Sequence, residues 1–149
     1  MRGTRITAVT LASAAMLALF GCATGRSALT SSAASLDRNA DSLARRVSDE
    51  PASETSTRYD SDVRALAEDA HEFRRTSEGR ASDADIRAAF DRVSRDYHAV
   101  RDDIDRSDSR LAREDLQPVT QSYLDVERDM SRYTGQPYSD RAYPDRPPG

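Results

Sequence analysis

Apolar residues recur at helical spacing in four separate segments of this 149-residue chain. In the first, Leu29, Leu36 and Leu43 repeat every seven residues, with Ala33, Ala40 and Val47 interleaved between them. In the second, Tyr59, Val63, Leu66, Ala70, Phe73 and Ser77 advance by alternating fours and threes. Ile86, Phe90, Val93, Tyr97, Val100 and Ile104 do the same in the third, and Leu116, Val119, Tyr123, Val126, Met130 and Tyr133 in the fourth. Steps of three and four place these residues on one narrow stripe of a helix, the stripe that coiled-coil-like packing buries. No segment alternates with period two, so no sheet is expected.

The segments are separated by turn chemistry. "SDEPASE", Ser48 to Glu54, carries a proline that ends the first helix, and Thr57 with Asp60 suits a capped start to the second. "EGRASD", Glu78 to Asp83, puts Gly79 where a left-handed cap is expected and Ser82 with Asp85 at the next helix start. "DRSDS", Asp105 to Ser109, is the third expected turn. Short turns force antiparallel neighbours, so the fold class is all-α: an up-down-up-down four-helix bundle over residues 28–134. Helices of about 24 residues would be about 36 Å long.

Pro118 divides the reading of the fourth segment. Either that helix starts near Ser109 and carries an interior proline, at a cost of roughly 3 kcal/mol and a kink, or it starts at Pro118 and the third helix runs on to about Asp115. The Ser/Asp cluster and matched helix lengths favour the first. Opposite charges four residues apart lace the polar faces: Asp41 with Arg45, Asp60 with Arg64, Arg64 with Glu68, Asp91 with Arg95, Arg92 with Asp96, Arg101 with Asp105 and Asp102 with Arg106. Each is worth about 0.3–0.5 kcal/mol as part of a solvated helix surface.

The N-terminus has a different pattern. Arg2 and Arg5 precede Ile6 to Phe20, "ITAVTLASAAMLALF", a 15-residue uncharged run that suits a secretory h-region better than a span of roughly 20 residues. It ends in "LFGC", Leu19 to Cys22, with the chain's single cysteine. This stretch resembles the lipobox of bacterial lipoproteins: an aliphatic residue, a small residue before the cysteine, then the cysteine itself. Phe20 is bulkier than the residue usual at its position. The resemblance covers only the first 22 residues. It implies a signal peptide over 1–21, cleavage between Gly21 and Cys22, and lipidation of Cys22 on sulfur and amine. It also implies a short lipidated tether, 22–27, leading into the bundle. Ala23, where an Asp would favour inner-membrane retention, implies the outer membrane facing the periplasm. With no second cysteine, an intramolecular disulfide is excluded.

Charge narrows the partners. All 22 basic residues are arginine, and two of them precede Cys22, leaving 20 against 26 acidic residues and a net charge of −6. An acidic surface argues against nucleic acid and against general adhesion to anionic lipid. The last segment, "TGQPYSDRAYPDRPPG", has four prolines and only Tyr138 and Tyr143 as large apolar surfaces. Residues 135–149 are therefore expected to be a disordered or extended tail, either plainly solvated or a recognition peptide.

Candidate chemistry is sparse. His71 and His98 follow the stripe positions Ala70 and Tyr97, so both are expected at the flank or in solvent, and a bundle that holds metal or haem directs its ligands inward. Glu68 stands three residues before His71 without a second such pair. No glycine-rich phosphate loop occurs, and no histidine is placed to activate a serine, so nothing supports an enzyme and no cofactor or metal is expected. Tyr59, Tyr97, Tyr123 and Tyr133 lie on the stripes, and their hydroxyls either reach acidic or basic groups at the bundle edge or line a small aromatic groove. The functional expectation is a lipid-anchored envelope protein, attached through Cys22, that binds an envelope partner as a non-catalytic structural or adaptor module. A periplasmic bundle for a small ligand or metal is the alternative.

Overall fold

The computed structural model describes residues 18–49, 56–107, 109–136 and 138, with side chains described from Gly25 onward except at 56 and 57. It holds four helices: α1 (Ala18–Asp49), α2 (Ser56–Glu78), α3 (Asp83–Ser107) and α4 (Arg110–Thr134). Among the described residues there is no strand, and no helix is long and apolar enough to cross a membrane. Cross-helix contacts establish the direction of every pair. Arg26 meets Ser77 and Gly79, Asp69 meets Arg92, Asn39 meets Pro118, and Tyr97 meets Thr120. Further along the same pairs, Asp37 meets Arg74, Arg58 lies near Asp103, Arg46 meets Asp115, and Ser94 meets Tyr123. In each pair of neighbours one number rises as the other falls, so the bundle is up-down-up-down.

The stripes form the core. Leu29, Leu36, Val63, Leu66, Phe73, Ile86, Phe90, Val93, Val100, Val119, Val126 and Met130 are all fully buried. Val47, Tyr59 and Tyr133, at the stripe ends, are half-buried against the same core. Side-chain size decides how closely the helices approach. On α1 the stripe includes Ala33 and Ala40, and α1 packs close to both α2 and α4. Between α3 and α4 close backbone approaches are few, and the wider gap is filled by the Tyr97 and Tyr123 rings.

Local chemistry sets the helix ends. Ser82 and Asp85 form the expected capping box: the Asp85 N–H donates to Ser82 Oγ at 3.2 Å, and the Ser82 N–H donates to Asp85 Oδ2 at 3.2 Å. Bonds from the Ser82 hydroxyl and backbone hold the Asp85 carboxyl below its ordinary pKa. Ser109 caps α4 by accepting from the Ala112 N–H at 3.2 Å. Gly79 differs from expectation. Its N–H reaches Arg75 O at 3.0 Å, prolonging helical geometry, and its φ is not positive. The free carbonyls at the end of α2 are met by Arg26, whose guanidinium donates to Ser77 O and Gly79 O. The left-handed cap is at Gly135, φ 66°, after α4.

Two expected boundaries differ, and the favoured start of α4 near Ser109 holds. Residues 22–27, expected as tether, and 18–21, the end of the expected signal peptide, are helical and part of α1, and a Cβ on Gly25 would lie 3.6 Å from Tyr133 Cα. The third turn is shorter than "DRSDS", because α3 continues to Ser107. Helix α4 starts at Arg110 with Pro118 inside it. Around that proline, Pro118 O accepts from Asn39 Nδ2 at 3.1 Å and from Ser122 Oγ at 3.0 Å, and Asn39 also reaches Ser122 Oγ at 3.3 Å. The proline is thus tied to α1 by side-chain hydrogen bonds at the turn it disturbs. The expected capping pair Thr57 and Asp60, the expected signal peptide over 1–21 and the tail beyond Tyr138 lie wholly or partly outside the described residues.

Candidate functional site

Cys22 lies within the backbone of α1, and its side chain is outside the described residues, as is that of every residue before Gly25. Gly21, on the other side of the expected cleavage, belongs to the same helical turn. Only Ala23 and Thr24 separate Cys22 from Gly25, which packs on α4, so the cysteine adjoins one end of the bundle.

The tyrosines form packing rather than a groove. Tyr97 and Tyr123 stack with ring centroids 4.2 Å apart, Phe90 lies 5.6 Å from Tyr123, and both tyrosines are nearly fully buried. Tyr97 donates to Thr120 Oγ1 at 3.1 Å, while Tyr123 is 2.9 Å from Ser94 Oγ and donates to Glu127 Oε1 at 3.2 Å. The rings thus fill the space that an aromatic groove would have needed. A broad hollow of about 770 Å³ lies over Arg26, Thr30, Ala34, Ser77 and Glu78. A smaller one of about 110 Å³ lies beside Val47, Tyr59 and Leu111, and neither is lined by Tyr97 or Tyr123. Near the bundle ends the hydroxyls do reach acidic groups: Tyr133 donates to Asp83, and Tyr138 to Asp91.

The histidines diverge. His71 is exposed, with Nδ1 3.4 Å from Asp37 Oδ1. His98 instead sets its ring edge-on to Tyr97 and Tyr123, so it is partly enclosed rather than free in solvent. Among the described residues no three His, Cys, Asp or Glu side chains gather as a metal site.

The most unusual electrostatics lie on the α2–α3 seam, which the helical stripes gave no reason to single out. Asp62 and Asp69 stand one heptad apart on α2, and Asp96 and Asp103 one heptad apart on α3. Antiparallel register sets Asp62 against Asp103 and Asp69 against Asp96. Burial, then the hydrogen bond and charge of Asp69, push the Asp96 carboxyl up to about 6, against a weaker downward pull from Arg95. Burial first and Asp103 second raise Asp62 in the same way. Asp103 is only 9% exposed. It accepts from Arg106, lies 3.7 Å from Arg58 Nε, and keeps Oδ2 buried without a hydrogen-bond partner. Two ionised carboxylates are both acceptors and cannot bond, so a proton on one supplies the missing donor. Arginine pairing follows this seam. Arg92, expected to pair with Asp96 along its own helix, has Nε 3.3 Å from Asp69 across the seam, and Arg106 pairs with Asp103 rather than Asp102. Asp41–Arg45 and Arg101–Asp105 do form as the spacing predicts. The heptad repetition of aspartates was visible in the sequence; which face it occupies was not.

Tyr138 also differs from expectation. Its ring centroid is 4.8 Å from that of Phe90, and its N–H donates to Ser131 Oγ at 2.9 Å. The chain therefore packs on the bundle beyond Thr134, where the tail was expected to begin. Aromatic pairs add about 0.5–1.5 kcal/mol beyond their area, and a hydrogen bond about 1 kcal/mol. Tyr138→Ala should cost about 2 kcal/mol, lowering the melting temperature by roughly 10 °C, with Tyr138→Phe losing about half as much. Circular dichroism melts check this. An unchanged midpoint for Tyr138→Ala would show that the ring contributes nothing.

Compared with protein-family models, curated proteins and solved structures, the chain matches none.

Proposed function

We propose that this is a lipid-anchored cell-envelope protein, held by lipid on Cys22, that serves as a non-catalytic structural or adaptor module for other envelope components. The observation that carries the reading is "LFGC" at Leu19 to Cys22, directly after a positively charged and then an apolar run. Cleavage before Cys22 would leave 128 residues, most of them in the bundle. The charge balance of that part supports protein partners over nucleic acid, and the outer membrane facing the periplasm is the proposed location. The closely packed core, with its tyrosine hydroxyls satisfied internally, supports a module that works through its surface. The acidic and arginine-rich helix faces are the surfaces proposed for binding, and the Pro/Tyr/Arg sequence after Tyr138 is proposed as a recognition peptide.

Pull-down of the acylated full chain from solubilised envelopes tests the adaptor reading. Specific, stoichiometric envelope proteins are expected. A co-purified small molecule or metal with no protein partner would favour the ligand-binding alternative and overturn the adaptor.

A further inference from the structure

We propose that the α2–α3 seam is an acid-set clasp, in which the pairs Asp62/Asp103 and Asp69/Asp96 hold α2 to α3 by shared protons in mildly acidic surroundings and loosen when both members of a pair are ionised. The geometry carries the proposal. The two pairs repeat at one-heptad spacing on both helices. Arg58 Nε lies 3.8 Å from Asp62 and 3.7 Å from Asp103, and Arg92, one turn before Asp96 on α3, has Nε 3.3 Å from Asp69, so one register brings both pairs together along a single edge. A single misplaced carboxylate could arise from packing. Two in register, one including a nearly buried aspartate with an oxygen lacking any donor, make a ladder of acceptor facing acceptor.

Four arginines stand against these four aspartates, yet the balance on both Asp62 and Asp96 is still upward, with burial the largest cause. The groups that bear most on Asp62 are Asp103, Arg58 and Arg106, and those on Asp96 are Asp69, Arg95 and Asp62. Asp69 also has Arg92 at 3.3 Å. All of these stand on α2 or α3. On α1, Asp37 turns instead to His71 and Arg74, and Asp115 of α4 pairs with Arg46 of α1, away from the seam. Arginines pair with one carboxylate of each pair, Arg92 with Asp69 and Arg58 and Arg106 with Asp103. The second must then either carry the proton or sit beside a like charge in a partly dehydrated place.

The sign follows from which state binds more protons. Asp96 holds its proton up to about 6 in the folded chain, well above its ordinary 3.8. Between those values the folded state carries more protons than the unfolded one, so stability rises as pH falls through that window and is lost as pH rises past it. Asp62 shifts in the same direction. Asp85, lowered, acts oppositely but only below the ordinary carboxylate range. Because all the participating groups lie within the bundle, the clasp does not depend on the lipid-anchor reading and can fail or stand without it.

The test is thermal melting of the full chain in mild detergent from about pH 7.5 to about pH 5, alongside Asp96→Asn, Asp62→Asn and the double variant. Wild type is expected to gain at least ~4 °C on acidification. Asparagine supplies the donor without the proton, so each variant should melt higher than wild type at about pH 7.5 and show a flatter pH slope, flattest in the double variant. His71 and His98 are common to every variant, so a difference in slope reports the seam. Wild-type slopes in the variants, or lower melting at the upper pH, would overturn the proposal. Carbon-detected NMR titration of the wild-type aspartate carboxyls gives a readout independent of variant folding. One carboxyl of each pair titrating above the ordinary range supports the clasp; fewer than two doing so would overturn it.

Discussion

Phe90→Asp is expected to abolish cooperative unfolding and leave a chain with weak, non-cooperative helix content. Phe90 is fully buried, with its ring 5.3 Å from Phe73, 5.6 Å from Tyr123 and 4.8 Å from Tyr138. It is therefore the residue at which α2, α3, α4 and the segment after α4 meet. Removing such a ring costs about 3–5 kcal/mol, and a carboxylate in its place adds the cost of burying a charge or opening the core. That total is comparable with the roughly 5–15 kcal/mol by which a domain of this size is stable. Asp91→Ala is the neighbouring control. Asp91 is exposed and accepts from the Tyr138 hydroxyl, so its loss should cost only about 1 kcal/mol. Circular dichroism melts of the two variants decide the matter, and equal losses would mean that the two faces of α3 had been assigned wrongly.

Cys22→Ser is expected to move the protein from the membrane fraction to the soluble fraction, on the lipid-anchor reading. Each buried methylene of an acyl chain adds about 0.8 kcal/mol of membrane affinity, and one chain alone binds only marginally. Several chains on one residue change a reversible association into a lasting one. Serine cannot replace the thiol, because its hydroxyl is a weak nucleophile unless an adjacent base activates it. No described helix is long and apolar enough to cross a membrane in its place. Fractionation with metabolic lipid labelling is the measurement. A labelled variant that stays in the membrane fraction would sink the anchor reading, and an unlabelled one that stays would point to a retained signal segment.

Much of the fold was legible because burial follows periodicity. Val63, Leu66, Ala70 and Phe73 on α2, and Ile86, Phe90, Val93 and Val100 on α3, were assigned to the core by spacing and are buried. The Ser82–Asp85 cap was legible for a similar reason, since both partners lie within one turn. Gly79 was not. A glycine near a helix end suggests a left-handed cap, but Arg26, more than fifty positions away in sequence, supplies the donors that such a cap would otherwise replace. Ala89, Ser94 and Ser122 are buried beside the stripes, and no spacing rule marks small side chains that close approach encloses.

The chain's own pattern determined that the described residues form four helices, which residues line their common core and that short turns run them antiparallel, because these depend on neighbours three and four positions apart. Tertiary structure alone decided the partners across helices. Rotation and register bring Asp62 to Asp103 and Asp69 to Asp96, seat Tyr138 on Phe90 and tie Asn39 to the carbonyl of Pro118. A polar side chain on a helix carries no local mark of what it will face. Its partner is chosen by the packing of apolar stripes on both helices, and its charge and hydrogen bonding are then settled by whatever that packing brings opposite it.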